Sequence, residues 1–203
     1  MKQLVIATAN PGKAKEFEEM LAPYGITIKT LADFPEIGEI EETGTTFAEN
    51  AALKAETVAK QIGEVVIADD SGLMVDALDG APGIYSARYA GEAHNDAKNN
   101  EKLLNDLQNV VEEARTAKFH CTLAVSSPTG QTDFYTGEVK GIIATAPSGS
   151  NGFGYDPLFY LPEYGTTMAN LSPEEKNKIS HRANALKRLA ENIEKLLAKI
   201  GEK

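Results

Sequence analysis

A single cysteine in 203 residues excludes an internal disulfide, and a reducing compartment fits that usage best. No apolar run approaches the roughly 18 residues that a membrane span requires. The opening MKQLVIATANPGK has too short an apolar core, and turns polar too soon, for a signal peptide. These absences set the expectation of a soluble, cytoplasmic chain with no membrane partner. An excess of basic charge is missing too. The formal charge is -10, whereas a general binder of nucleic-acid polymers presents a basic surface. A small anion is still admissible wherever a few cations or a metal ion gather locally. His94, His120 and Cys121 lack metal-ligand spacing, which argues against zinc. Cys121, on the apolar face of a strand, reads as core rather than nucleophile. Repeats, low-complexity tracts and linkers are absent as well, so one domain over residues 1–203 is expected, long enough for a substantial core.

What is present is alternation of strands and helices. Lys2 to Thr8 reads as a strand, followed by helical spacing at Phe17, Met20 and Leu21 that ends near Pro23 and Gly25. Ile26 to Leu31 is a second strand. An acidic loop, PEIGEIEETG, leads to the capping box Thr46 to Glu49. Behind it Ala51, Ala55, Val58, Ala59 and Ile62 share one helical face, and Gly63 is a C-terminal stop. Val65 to Ala68 is a buried strand ending at an Asp pair, and Leu73 to Leu78 is a separate short one. A helix begins near Asn95 or Asp96. Lys118 to Ser126 and Thr132 to Ile143 form a hairpin around Pro128-Thr129-Gly130. After a further short strand at LFYLP, Ser172-Pro173 starts a short helix, and a last helix runs from about Ser180 to Ile200. The pattern predicts a layered α/β/α domain with a mixed sheet.

Four segments carry candidate chemistry. In TANPGK, Thr8 to Lys13, a strand gives way to a helix with Asn10 as cap and Pro11 at the first position. Free amides, Gly12 and Lys13 would suit a phosphate there, although a capped helix with a solvated lysine fits equally well. Neither a Walker loop nor a GxGxxG fingerprint is present. Glu41, Glu42, Asp69 and Asp70 are acids that, if brought together, suit Mg²⁺; one of them could instead take a proton from water. Acidic loops are more often merely exposed. Asp69 and Asp70 are different, because they follow directly on a core strand, where two adjacent carboxylates repel and resist desolvation. A metal ion would offset that repulsion.

The third segment is SGSNGFGYDP, Ser148 to Pro157, in which small residues admit close backbone approach and Phe153 and Tyr155 offer flat faces for stacking. Alone, such a loop is only a turn. The fourth is EEKNKISHRANAL, with Lys176 on a short helix and His181 and Arg182 in the first turn after Ser180. A cation there opposes the helix dipole by roughly 0.3–1 kcal/mol, so it either projects into water or meets an anion. His181 also suits reading a carbonyl on a base. Arg88 in IYSARYAG is a further phosphate or partner contact.

TANPGK, EETGTTFAENAALKA, ADDSGL, GAPGIYSARYAG, FGYDPLF and EEKNKISHR stand in this order over essentially the whole chain. Together they resemble the inosine triphosphate pyrophosphatase (Ham1-like) family, which acts on non-canonical purine nucleoside triphosphates. The resemblance implies an elongated central sheet forming two lobes around a nucleotide cleft. It implies hydrolysis of the α–β phosphoanhydride of ITP, dITP and XTP to the monophosphate and pyrophosphate. It further implies that Thr8, Ala9, Asn10, Pro11, Gly12 and Lys13 cradle phosphates, and that Glu41 and Asp70 hold Mg²⁺. Asp70 would be the general base and Ser71 a nucleotide contact. Phe153, Gly154, Tyr155 and Asp156 would enclose the base, completed by Lys176, His181 and Arg182. A homodimer is implied as well. Two other functions fit the residues: a Mg²⁺-dependent pyrophosphatase for canonical or pyrimidine triphosphates, and a nucleotide-binding module without catalysis. The carboxylate pair argues against the second, since added negative charge weakens anion binding unless a metal is used.

Overall fold

Leu4 and Ile6 alternate with Val5 and Ala7, and all four are buried, so the first strand requires cover on both faces. In the computed structural model, which describes residues 2–38, 40–92 and 94–201, β1 (Lys2–Ile6) lies between β2 (Ile26–Thr30) and β3 (Val66–Val75), parallel to both. The sheet continues through β4 (Thr116–Ser126), β5 (Thr132–Ile143), β6 (Phe159–Leu161) and β7 (Thr166–Thr167) in that order. The last two additions are antiparallel. The result is the open, mixed α/β sheet that the alternation predicts. Glu39 of the acidic loop lies outside the described residues.

By internal packing the chain divides into two units, Met1–Asp70 with Cys121–Gly137 and Ala185–Lys203, and Ser71–His120 with Glu138–Asn184. Each has its own core. In the first unit, Leu4, Ile6 and Ile67 meet Phe17 and Leu21 of α1 (Pro11–Leu21), together with Leu186 and Leu189 of α5 (His181–Ala190) and Leu196 of α6 (Ile193–Gly201). On the other face Val5, Ala7, Val66 and Ala68 meet Ala51, Ala55, Val58 and Ala59 of α2 (Phe47–Ile62). Alanines let α2 lie close to the strands, and both ends of that helix are fixed as the sequence predicts. Thr46 and Glu49 form the reciprocal cap, and Gly63 closes the helix at φ 71°.

The second unit packs Leu73, Val75, Phe119, Ile143 and Phe159 of the strands against Leu103 on α3 (Asp96–Asp106). Each fully buried side chain of this size contributes about 1.5–3 kcal/mol. The buried Arg115 donates to the carbonyls of Leu107 (2.8 Å) and Val110 (3.0 Å), which satisfies the backbone where the chain leaves α3. α4 (Pro173–Ile179) begins at the Ser172 capping box.

Two elements differ from the expectation. The strand does not stop at Asp69: β3 runs unbroken from Val66 to Val75, through both acids, Ser71 and Gly72. Aspartate is depleted in strands because its side chain seldom finds partners on a sheet, and here it finds lysines. The single last helix is two, because the chain breaks at Glu191 and Asn192. The carbonyl of Asn192 takes the Lys195 amide at 3.0 Å, and its side chain turns back to the Arg188 carbonyl. Asparagine's preference for the helix start outweighs the continuous apolar stripe.

Candidate active site

Alternation along β3 explains how adjacent acids coexist. Asp69 falls on the side of Ile67, towards α1, and Asp70 on the side of Val66 and Ala68, towards α2. Lys13, in the first turn of α1, pairs with the Asp69 carboxylate at 3.0 and 3.2 Å. Lys54, on α2, places Nζ 2.6 Å from Glu42 and 2.8 Å from the Asp69 carbonyl oxygen. The acidic loop is carried to this position by Asn50, fully buried, whose Oδ1 accepts the Gly44 amide at 2.8 Å. A Cβ at Gly44 would lie 2.6 Å from that oxygen, so only glycine fits.

The electrostatics are uneven. Burial pushes the Asp70 carboxyl up to about 6; Lys54 and Lys13 pull it down, while Glu42 and Asp69 add to the rise. Burial opposes the charge on Lys54, yet Asp69, Asp70 and Glu42 together hold it above the ordinary lysine range. Three acids thus face two lysines, leaving one excess negative charge beside a carboxyl poised near neutrality.

The expected phosphate cradle takes a different form. Asn10 Oδ1 already accepts the amides of Gly12 (2.9 Å) and Lys13 (3.2 Å), and its own amide donates to Thr8 Oγ1. The cap takes the donors that an anion would share, so the attraction left there comes from the helix dipole and Lys13. Glu41 is exposed, and Glu42 is the loop acid brought to Lys54. Among the described residues no three acids, histidines or cysteines assemble at metal-ligand distances.

In the second unit the loop from Ser148 to Asp156 is built around one carboxylate. Asp156 is buried, and its Oδ2 accepts the Phe153 amide (3.1 Å) and Lys176 Nζ (2.8 Å). A Cβ at Gly152, where φ is 74°, would stand 2.0 Å from that oxygen, so the turn demands glycine. Lys176 Nζ also lies 4.5 Å from the Phe153 ring centroid, within cation–π range. The Phe153 ring is 36% exposed, whereas Tyr155 is buried and donates its hydroxyl to the Ser86 carbonyl at 2.7 Å. Burial pushes that phenol up. Of the two aromatics, only Phe153 has a face open for stacking.

His181 and Arg182 sit in the first turn of α5, where Ser180 Oγ accepts the Ala183 amide. Both are buried, His181 stacked on Phe119 at 4.9 Å and Arg182 only 1% exposed. The alternative of an arginine projecting into water is therefore overturned. Arg88 lies 5.3 Å over the exposed Tyr85 ring. Ser71 continues β3 directly after Asp70. Sequence reasoning missed Lys54 and Asn50. The available signal was a lysine and an asparagine on the alanine-lined helix just behind the acidic loop.

Comparison with known proteins places this geometry. The model of the Ham1 family matches residues 4–192. The dITP/XTP pyrophosphatase of Listeria monocytogenes serotype 4b (strain F2365) is 66% identical over 203 residues, covering 100% of both chains. That of Geobacillus kaustophilus is 56% identical over 197 residues, covering 97% of each. Among solved structures, the Ham1 protein of Staphylococcus aureus superposes with a TM-score of 0.86 at 47% identity, over 96% of this chain and 100% of that one. A HAM1 protein from Coxiella burnetii gives 0.88 at 42%, with the same coverage.

Proposed function

The chain belongs to the Ham1 family, and from that premise we propose that it is a pyrophosphatase of non-canonical purine nucleoside triphosphates. It hydrolyses ITP, dITP and XTP to the monophosphate and pyrophosphate. The observation that carries the reading is the buried Asp70, pushed up to about 6 between Lys54 and Glu42. A general base works best with a value near the operating pH. Water attacks at the α–β anhydride and gives its proton to the Asp70 carboxylate. One P–O bond forms, the bridging P–O bond breaks, and pyrophosphate leaves. Lys13 and Lys54 exchange Asp69 and Glu42 for phosphate oxygens, neutralising charge as phosphoryl transfer requires.

Mg²⁺ fits this donor set. The nearby groups are carboxylates and carbonyls, the hard oxygens it prefers, and one or two carboxylates suffice when phosphates and waters complete the shell. Asp70 and an acid of the Glu41–Glu42 pair would hold it, and when bound it supplies positive charge to the developing phosphate oxygens. In the second unit the open Phe153 ring stacks the base, with Lys176, His181 and Arg182 as donors around it. A donor aimed at the 6-oxo group of hypoxanthine or xanthine leaves adenine's amino group unpaired, a substantial penalty. The proposal is completed by a single Ham1-like domain acting as a cytoplasmic homodimer. Among the described residues no helix is long and apolar enough to cross a membrane.

The test is pyrophosphate release from ITP, dITP, XTP, dUTP, GTP and ATP, with and without Mg²⁺, alongside light scattering for the dimer. Turnover of the oxo-purine substrates at least 100-fold above ATP is expected. Comparable turnover of ATP and ITP would overturn the specificity, and binding of ITP without cleavage in Mg²⁺ would reduce the protein to a binding module.

A further inference from the structure

The stacking face of Phe153 has little packing of its own to hold it. The ring is 36% exposed, and the next residue, Gly154, has φ 62° with nothing within 4 Å of where a Cβ would be. A glycine in open space is a hinge. Its freedom is removed by one neighbouring helix. Asp96, the first residue of α3, accepts the Gly154 amide on Oδ2 at 2.7 Å. Asn100, one turn later, donates Nδ2 to the Gly154 carbonyl at 2.9 Å. The i, i+4 spacing puts both side chains on one face of the helix, so they grip the N–H and the C=O of a single residue. Both grips are themselves supported. The carboxylate of Asp96 lies at the positive end of α3, where negative charge is favoured, and Asn100 Nδ2 also bonds the Asp96 carbonyl at 2.9 Å. The two side chains form a latch with two points of contact.

We propose that Asp96 and Asn100 are positioning residues for base selection: by fixing the Gly154 peptide they set the plane in which Phe153 meets a purine. Neither touches the substrate. The inference rests on the reading that Phe153 stacks the base, and it adds a specificity determinant about 55 residues away in sequence. A charge-assisted bond from a carboxylate to a backbone amide is among the stronger hydrogen bonds available, and a misplaced ring loses stacking without disturbing the reacting phosphate.

The test compares Asp96→Ala, Asn100→Ala, their double variant, Asp96→Asn and Phe153→Ala, each checked by thermal melting. The double variant should raise KM for ITP about tenfold and lower the ITP-to-ATP ratio of kcat/KM by a similar factor, with kcat within about twofold. Asp96→Asn keeps an acceptor and should restore most of the loss. A purely structural role would lower the active fraction, and with it apparent kcat, while leaving KM and the ratio alone. If Phe153→Ala raises KM and the double variant does not, the latch is wrong and the stacking reading stands. If Phe153→Ala itself leaves KM and the ratio unchanged, the stacking reading fails and the latch fails with it.

Discussion

Asp70 in the first unit and Asp156 in the second are both buried carboxylates near lysine, yet their surroundings are opposite. Asp156 receives two donors on one oxygen, from Lys176 and the Phe153 amide. Asp70 shares its lysines with Glu42 and Asp69, and burial pushes it up to about 6. Removing two ions from water is costly, and the attraction between them recovers that cost only with good geometry and further hydrogen bonds. Asp156 has those and serves as a structural pivot for the loop. Asp70 lacks the balance, and such imbalance suits a proton acceptor. One unit uses its carboxylate to hold backbone, and the other to move a proton.

Replacing each member in turn sharpens that contrast. Asp70→Asn should lower kcat for ITP by about 10²–10⁴-fold, measured as pyrophosphate release. The same variant should be more stable than wild type in metal-free buffer. The sign follows from proton counting. With a folded value of about 6 against 3.8 for the free group, the native state binds the extra proton between those limits, so stability falls as pH rises across them. The gain in Asp70→Asn should be absent below about pH 4, grow to about pH 6 and then level off at about 1–3 kcal/mol. Urea melts at pH 4 and pH 7.5 check it. A variant that is destabilised at pH 7.5, or that retains near-normal turnover, would remove Asp70 from the role of base.

Lys176→Met is the counterpart in the second unit. It leaves the Asp156 carboxylate buried without its cation, and breaking a buried pair from one side costs about 3–5 kcal/mol. The midpoint of urea unfolding should fall accordingly. A double variant with Asp156→Asn should recover part of the loss, because the stranded charge is gone. Were Lys176→Met to unfold like wild type, the pair would not be the pivot described above.

Local chemistry was legible in the sequence, and long-range geometry was not. The caps at Thr46 and Ser172 depend on residues three apart, and they stand where the sequence predicts. The Asp pair was conspicuous because acids are foreign to a core strand, but their continuation of the strand was not. That depends on Lys13 and Lys54, whose partners lie 56 and 15 residues away. Glu41 and Glu42 cannot be told apart by pattern, since a loop has no period to assign one of them inward; only the folded loop turns Glu42 to Lys54. The occupied amides at Asn10 show the same limit from the other side: the residue that marks a helix start also consumes the donors which make that start attractive to phosphate.

Phe153 and Tyr155 make the last comparison, as two aromatics one residue apart that sequence reading treats alike. Tyr155 is buried and its hydroxyl donates to the Ser86 carbonyl, while Ser86 Oγ accepts the Leu73 amide and donates to Gly83. That makes Tyr155 a strut between the loop and the Gly83–Arg88 turn. Tyr155→Phe deletes one hydrogen bond and strands a carbonyl, which costs about 1–2 kcal/mol, read as a lower thermal midpoint. Because the ring and its packing survive, kcat/KM for ITP should stay within about twofold. A tenfold rise in KM with an unchanged midpoint would reverse the assignment. Tyr155 would then belong to the base contacts, and the two aromatics would act as a pair.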